Sequence, residues 1–447
     1  MLTVEKAEAR AASLVALARE AGADAADVIY SGEASTGIQV RLGELEEVGR
    51  SEGEDIGLRF FVGQRSASVS SSDLSEDALR ALVERASAMA REAPEDPYAG
   101  LAPEERLLRG EGVDVDGDDG ADTSPLALKE LALGIEDAAR AVPGVTNSEG
   151  AGVSAGRSVV ALATSHGFCR GYATTGYSGM ASVIAGAGGA MQRDYAYHSV
   201  RHFADLEGPE TLGRRAGERA VARLDPGKLS SGRMTIFFSP RVSASIIGHL
   251  TGAITGSAIT RRTSFLIGKE GEQIFAPGIV IRDDPHRARG LASKPFDGEG
   301  LPTGPSDIVS GGRLTGWLLD SASARQLGLE PTGHATRGAG SPGAGPTNVH
   351  MEPGPLSPAE LMADVGRGLY VTELIGQGVN PVTGDYSRGA SGFIVENGAL
   401  AGAVAEITIA GNLLEMFRET TPASDLDFRR SVNAPTLRIE GMMVAGA

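Results

Sequence analysis

The stretch Arg241-Val-Ser-Ala-Ser-Ile-Ile-Gly-His-Leu-Thr-Gly-Ala-Ile-Thr-Gly256 constrains this chain more than any other. An apolar run, Met234–Phe238, reads as a strand and stops at Ser239-Pro240. Pro suits the first turn of a helix, where its missing N–H has no partner to lose. Apolar residues then recur at Val242, Ile246, Ile247, Leu250 and Ile254, which predicts a helix with one apolar face. A helix that holds a catalytic metal needs two imidazoles one turn apart and a carboxylate beside the first. Here the helix has only His249, with Gly248 and Ala253 nearby and no acid. The helix is present and the ligands are absent.

At 447 residues the chain exceeds one ordinary core, so two or three domains are expected. A hydrophobic content of 41% with 22% charged residues describes a soluble globular protein. Gly, at 62 residues, predicts many turns and thin Ala/Gly/Ser strands. The net charge of −17, with no basic cluster to offset it, argues against a nucleic-acid partner. The single Cys169 excludes an intrachain disulfide and a Cys-based zinc cluster, and suits a reducing cytoplasm. The N-terminal residues carry acids and no apolar core, so no signal peptide is expected. No apolar run approaches the ~18 residues of a membrane span.

In chain order, the pattern predicts an α+β protein. Residues 1–95 read as an N-terminal unit: a helix over Val4–Ala21, an antiparallel meander of short strands between Ala26 and Ser72, and a helix from Ser75 to about Ala93. Residues 96–124 read as a linker rich in Gly and Pro, then in acids. Its run Asp114-Val-Asp-Gly-Asp-Asp-Gly-Ala-Asp122 fails as a calcium loop, because Asp119 and Pro125 stand where Gly and Glu are required. A solvated, mobile loop is expected there. Residues 125–226 read as a β-rich middle domain between helices at Pro125–Ala141 and Glu210–Leu224. Residues 227–447 form a large β-rich domain with few helices. Its expected elements are strands near Gln273–Ile281, Asp307–Ser310 and Leu314–Leu319, helices at Ser321–Leu327 and Ser357–Gly368, a hairpin turning at Asn397-Gly398, and a closing strand Thr436–Val444.

Several motifs match chemistry by letter alone. Gly152-Val-Ser154-Ala-Gly156 spells a nucleophile elbow, yet strand-like sequence follows where a helix is required. Gly338-Ala-Gly-Ser-Pro-Gly343 spells a dinucleotide fingerprint without a strand before it or a helix after it; a loop of this length can still line a cavity. His198 and His202 share the spacing of a zinc pair, but in a strand they stand ~13 Å apart. The remaining His166, His286, His334 and His350 are scattered singly. Gly384-Asp-Tyr-Ser-Arg-Gly389 packs an acid, a phenol, a hydroxyl and a guanidinium between glycines. It reads either as a clamp for a peptide backbone or terminal carboxylate through Arg388, or as a turn held by an Asp385–Arg388 pair.

The third region resembles the PmbA/TldE branch of the TldD/PmbA family (peptidase family U62). The resemblance is carried by Gly248-His-Leu-Thr-Gly-Ala-Ile-Thr-Gly256, Gly290-Leu-Ala-Ser-Lys-Pro-Phe-Asp-Gly-Glu-Gly300 and Gly316-Trp-Leu-Leu-Asp-Ser-Ala-Ser-Ala-Arg325. It continues through Gly333-His-Ala, Val371-Thr-Glu-Leu-Ile-Gly-Gln-Gly378, Gly384-Asp-Tyr-Ser-Arg-Gly-Ala390 and Glu406-Ile-Thr-Ile-Ala-Gly-Asn-Leu413. The family's older name is modulator of DNA gyrase. The resemblance implies a cytoplasmic chain that forms a homodimer alone and a heterodimer with a TldD-like zinc peptidase that trims modified or unfolded peptides.

In the TldD-like branch the helix carries His-Glu-x-x-x-His, with a Cys near the C-terminus as third ligand. Laid on this helix, the motif puts Gly248 at the first His, His249 at the Glu and Ala253 at the second His, and no thiol follows Thr420. The expectation is therefore no catalytic or metal-binding residue and no cofactor in this chain, with zinc in the TldD-like partner. His249, Arg261, Arg262, Asp385, Tyr386 and Arg388 are the candidates for the wall of a peptide chamber. The rival expectations are a peptidase active by itself and a non-enzymatic binder of gyrase or another macromolecule.

Overall fold

The structure, a computed structural model, describes residues 1–446. The Thr3 side chain accepts the Lys6 N–H and starts α1 (Val4–Glu20). Then come β1 (Ala25–Arg41), β2 (Glu44–Val62) and β3 (Arg65–Ser71). Leu42 and Gly43 sit at φ 53° and 83°, the left-handed pair that a two-residue hairpin turn requires. The expected series of short strands is thus corrected to two long ones and a short one. Gly32 and Gly53, which fall between the expected short strands, pair with Glu54 and Glu33 inside the ladder. Because β1 is paired along most of its length on both sides, its backbone hydrogen bonds outweigh the weak strand preference of Gly. Ser75 caps α2 (Glu76–Glu92).

After α3 (Pro125–Arg140) come β4 (Val145–Thr164), β5 (Cys169–Ala185), β6 (Gln192–Val200) and α4 (Pro209–Ala222). One antiparallel sheet runs β3-β2-β1-β4-β5-β6, with β1 beside β4 from Asp27↔Thr164 to Val40↔Ala151. Strands from the first and the middle regions therefore share a single sheet. Alternation along β1 explains its two faces. Val28 packs with the α1 and α2 residues Leu14 and Leu82, and Ile38 and Val40 pack with Leu128 and Leu212 of α3 and α4. Ile29 points the other way, into a cluster with Leu162, Phe168, Phe296 and Leu301.

That second face also receives the linker, through Ala102 and Leu107. The acidic run is fastened rather than free, which corrects the expectation of a solvated, mobile loop. Arg289 Nε lies 2.6 Å from Asp116, Arg157 Nη2 lies 2.7 Å from Asp118, and Asp119 accepts the Tyr177 hydroxyl at 2.8 Å and the Phe203 N–H at 2.9 Å. The charges that look unbalanced locally are balanced by residues distant in the chain.

The C-terminal region contains β7 (Gly232–Phe238), α5 (Pro240–Ala253), α6 (Gly256–Thr260) and α7 (Ser321–Leu327). Its main sheet orders the strands Ala399–Asn412, Asp385–Glu396, Arg367–Ile375, β7, Leu437–Ala445 and Thr420–Pro422. Only the contact between Arg367–Ile375 and β7 is parallel among these, because α5 leads the chain away from β7. On α5, Val242, Ile246, Ile247 and Leu250 are buried against Phe238, Leu369 and Ile439. Burial of each such side chain contributes about 1.5–3 kcal/mol, enough to fix which side of the helix remains outside.

Some expected elements are shorter. The strand near Gln273–Ile281 reduces to Ile281–Asp283, and Leu314–Leu319 to Arg313–Leu314. The helix from Ser357 ends at Met362, and Arg367–Ile375 is an inner strand of the sheet. The hairpin is longer than the expected strands Gly392–Glu396 and Leu400–Ile409, running Asp385–Glu396 and Ala399–Asn412. The Gly338–Gly343 segment closes onto the first sheet, where a Cβ on Gly57 of β2 would lie 2.1 Å from the Ala339 carbonyl oxygen. Among the described residues, no helix is long and apolar enough to cross a membrane.

Candidate functional site

The turn of α5 that stays outside the core carries Gly248, which is exposed, and His249, which is partly buried. Beside it runs the start of the strand Asp385–Glu396. Alternation sends Asp385 and Ser387 to the exposed side, and Tyr386 into the core at 2% exposure. The His249 and Tyr386 rings meet edge to face, with centroids 6.0 Å apart at 77°. Arg388, two residues along the same face, acts electrostatically on both. His249 Nε2, the Tyr386 hydroxyl and Arg388 Nε are buried without a hydrogen-bond partner.

Burial lowers the His249 imidazole below its ordinary value, and the Arg388 charge lowers it further. The Tyr386 phenol is raised by burial, with Arg388 opposing that effect. At neutral pH the site therefore holds a neutral imidazole, a protonated phenol and a guanidinium. It can donate hydrogen bonds from a phenol and a cation, and no carboxylate is among the charges acting on His249 or Tyr386.

The donor set does not fit zinc. A Cβ built on Gly248 meets open space, Ala253 is a buried methyl, and His249 alone remains. Three protein ligands are the minimum for a catalytic zinc. Among the described residues, no three His, Cys, Asp or Glu side chains are grouped to hold a metal. Cys169 lies on β5 of the other sheet, exposed, with its Sγ 3.6 Å from the Glu8 carbonyl.

Elsewhere the structure disperses what the sequence grouped. His198 accepts the Glu207 N–H through Nδ1 at 3.1 Å, whereas His202 Nε2 lies 2.9 Å from the Asp116 carbonyl, so the two imidazoles serve different contacts. His166, His286, His334 and His350 each engage a partner of their own. Ser154 sits inside β4, not on a turn. The Asp385–Arg388 pair does not form: Asp385 accepts from Thr383 Oγ1 at 2.7 Å and Asn412 Nδ2 at 3.3 Å, because adjacent strand positions of opposite parity face opposite ways. Arg261 and Arg262 are exposed after α6, with Arg262 at φ 57°; the structure records no contact joining them to His249.

Sequence reading missed an arginine-lined cleft of about 640 Å³ between α4 and the C-terminal region. Beside it, Glu207 bridges Arg215 and Arg429 at 2.7 and 2.6 Å. No local spacing signals this bridge, since Arg429 is far along the chain. Burial alone raises the Glu207 carboxyl, but its two arginines prevail and bring it to about 2. The folded value lies below the unfolded one, so the stabilisation is complete above about pH 4.5 and fades as pH falls toward 2. We expect Glu207→Gln to lose about 1–2 kcal/mol near neutral pH, the pKa shift being discounted for solvent screening of a partly exposed group, with the difference from the parent shrinking as pH falls through about 2. Urea unfolding across that range checks it, and a pH-independent difference contradicts it.

Fold and site together describe an α+β chain whose C-terminal sheet packs against a helix that presents one imidazole at its outer turn. Three family models match: PmbA/TldA metallopeptidase domain 1 over residues 26–90, the central domain over 118–224 and the C-terminal domain over 231–446. The Escherichia coli O157:H7 protein named Metalloprotease PmbA is 40% identical over 425 residues, covering 95% of this chain and 92% of that protein. A Bacteroides thetaiotaomicron crystal structure, named as a modulator of DNA gyrase, superposes with a TM-score of 0.92 at 26% identity and covers 100% of both chains. TldE from Thermococcus kodakarensis has the same fold, with a TM-score of 0.87 at 21% identity over 97% of this chain and 99% of that one. The chain belongs to the PmbA/TldD family.

Proposed function

We propose that this chain is the PmbA/TldE-type, non-zinc-binding subunit of a cytoplasmic peptidase complex. The zinc and its catalytic carboxylate belong to a TldD-like partner, and the complex trims modified or unfolded peptides. The observation that carries this reading is α5 itself: a buried apolar face, a turn made of Gly248 and His249, and Ala253 where a second ligand is needed. In the complex this subunit contributes wall and backbone to a chamber, with His249, Tyr386 and Arg388 at its inner surface and Asp385, Arg261 and Arg262 around it. Without the partner the chain forms a homodimer.

The test combines metal analysis with peptide cleavage. Purified alone, the chain is expected to retain less than about one zinc per ten chains after dialysis, since one imidazole does not hold the ion, and to leave unfolded peptides intact. Mixed with a TldD-like protein from the same genome, it is expected to support cleavage. One tightly held zinc per chain, lost together with activity in His249→Ala or His198→Ala, overturns the proposal in favour of a self-sufficient peptidase.

A further inference from the structure

Buried polar atoms in folded proteins are nearly always hydrogen-bonded, and leaving one unmade is costly. At the outer turn of α5 three occur together: His249 Nε2, the Tyr386 hydroxyl and Arg388 Nε. Tyr386 is 98% buried by its 2% exposure, so its hydroxyl has no recourse to bulk water. The only charge acting on the His249 ring besides its burial is that of Arg388, and the same holds for Tyr386. Every ion pair of Arg223, Arg241, Arg429 and Arg438 has a carboxylate within 3.3 Å, while Arg388 has none within ion-pair distance among the described residues. A guanidinium beside a phenol whose O–H is left to donate, with no carboxylate within ion-pair distance among the described residues and a neutral imidazole as the nearest ring, forms a receptor for an anion with planar oxygens.

We propose that His249, Tyr386 and Arg388 form a subsite that binds a carboxylate of a peptide, through Arg388 and the Tyr386 hydroxyl, with the His249 ring as its wall. The carboxylate is either the chain terminus or an acidic side chain; both present the same pair of oxygens. The identity of the ligand as a peptide rests on the subunit reading above, whereas the anion chemistry does not. Spacing supports the role: Tyr386 and Arg388 are two apart on one strand, so their polar ends flank one side of a bound group and the helix flanks the other. In Gly384-Asp-Tyr-Ser-Arg-Gly389 the residues of one parity serve this site, and those of the other serve the turn.

The test uses the isolated, metal-free full chain and three probes: acetyl-Ala-Ala-Ala with a free C-terminus, its C-terminal amide, and acetyl-Ala-Glu-Ala amide. Calorimetric titration is expected to give at least tenfold tighter binding of the free acid than of the first amide. Tight binding of the Glu peptide as well assigns side-chain recognition, and weak binding assigns the terminus; either outcome supports a carboxylate subsite. Arg388→Gln is expected to lose at least tenfold in affinity for the acid. Tyr386→Phe, which keeps the ring and its packing, is expected to lose several-fold. Imidazole NMR of His249 adds a signature: the bound carboxylate offsets Arg388 and shifts the ring's titration upward, and the amide leaves it in place. Equal binding of acid and amide, or an Arg388→Gln variant that folds and binds like the parent, overturns the subsite. Because no partner or zinc is used, this result is separate from that of the metal and mixing experiment.

Discussion

Asp27→Ala is expected to destabilise the chain by about 3–5 kcal/mol, the range for removing one partner of a buried ion pair. Asp27, on β1, is 1% exposed, and it faces Arg59 directly across the β1–β2 ladder. Arg59 Nε lies 3.0 Å from both carboxylate oxygens, and Arg337 Nη2 reaches one of them at 2.7 Å from the C-terminal region. Burial pushes the Asp27 carboxyl up, but the Arg337 and Arg59 charges outweigh it and hold it below its ordinary value. Without Asp27 the fully buried Arg337 side chain loses its ion-pair contact and keeps only the more distant charge of Glu299, which lies 3.9 Å from Arg59. The measurement is the urea midpoint by far-UV circular dichroism, with hydrogen exchange over residues 335–345. Exchange there is expected to rise, because Arg337 anchors that segment. A loss under about 1 kcal/mol, below the range for a broken buried pair, contradicts this role.

The second large effect belongs to Glu136 on α3, a carboxylate with 0% exposure. It accepts the N–H groups of Leu42 and Gly43 at 2.8 Å each, and the Ser148 hydroxyl. One side chain thus holds the β1–β2 turn against the helix. Glu136→Ala leaves these donors without an acceptor, at about 1–3 kcal/mol for each one that stays buried. We expect a net loss of about 2–4 kcal/mol, relaxation at the exposed tip offsetting part of the cost. Glu136→Gln is expected to recover only part of this, since the amide offers one oxygen where the carboxylate offers two. Unfolding midpoints of the two variants check the order, and a Gln variant equal to the parent refutes it.

Both residues illustrate what was not legible along the chain, and other elements what was. The helix α5 was legible because Ser239-Pro240 and the apolar spacing of Val242, Ile246, Ile247 and Leu250 point the same way. The turn at Asn397-Gly398 was equally legible, and the residues adopt φ 50° and 82° as that pair prefers. Glycines misled the reading of β1 and β2, since a residue that permits a turn also tolerates a ladder flanked on both sides. The strand Arg367–Ile375 was obscured by the capping box at Ser357 and Glu360, a true start signal for a helix that stops after little more than one turn. At the candidate site, His249, Tyr386 and Arg388 were named from two separate motifs, but not their adjacency. Asp27, Glu136 and Glu207 were missed altogether. Each acquires its meaning from partners supplied by other elements, and spacing along the chain carries no trace of that.

The first sheet has a consequence for how the chain is born. β1 ends at Arg41, and its neighbour β4 begins only at Val145. A nascent polypeptide leaving the ribosome therefore displays one flank of β1 until the middle region has been translated, and such pairings between distant segments form slowly. Meanwhile the early hairpin offers an unmatched edge to any other extended strand nearby. Shielding by a holding chaperone during that interval would matter more for this polypeptide than for one whose neighbouring strands are consecutive.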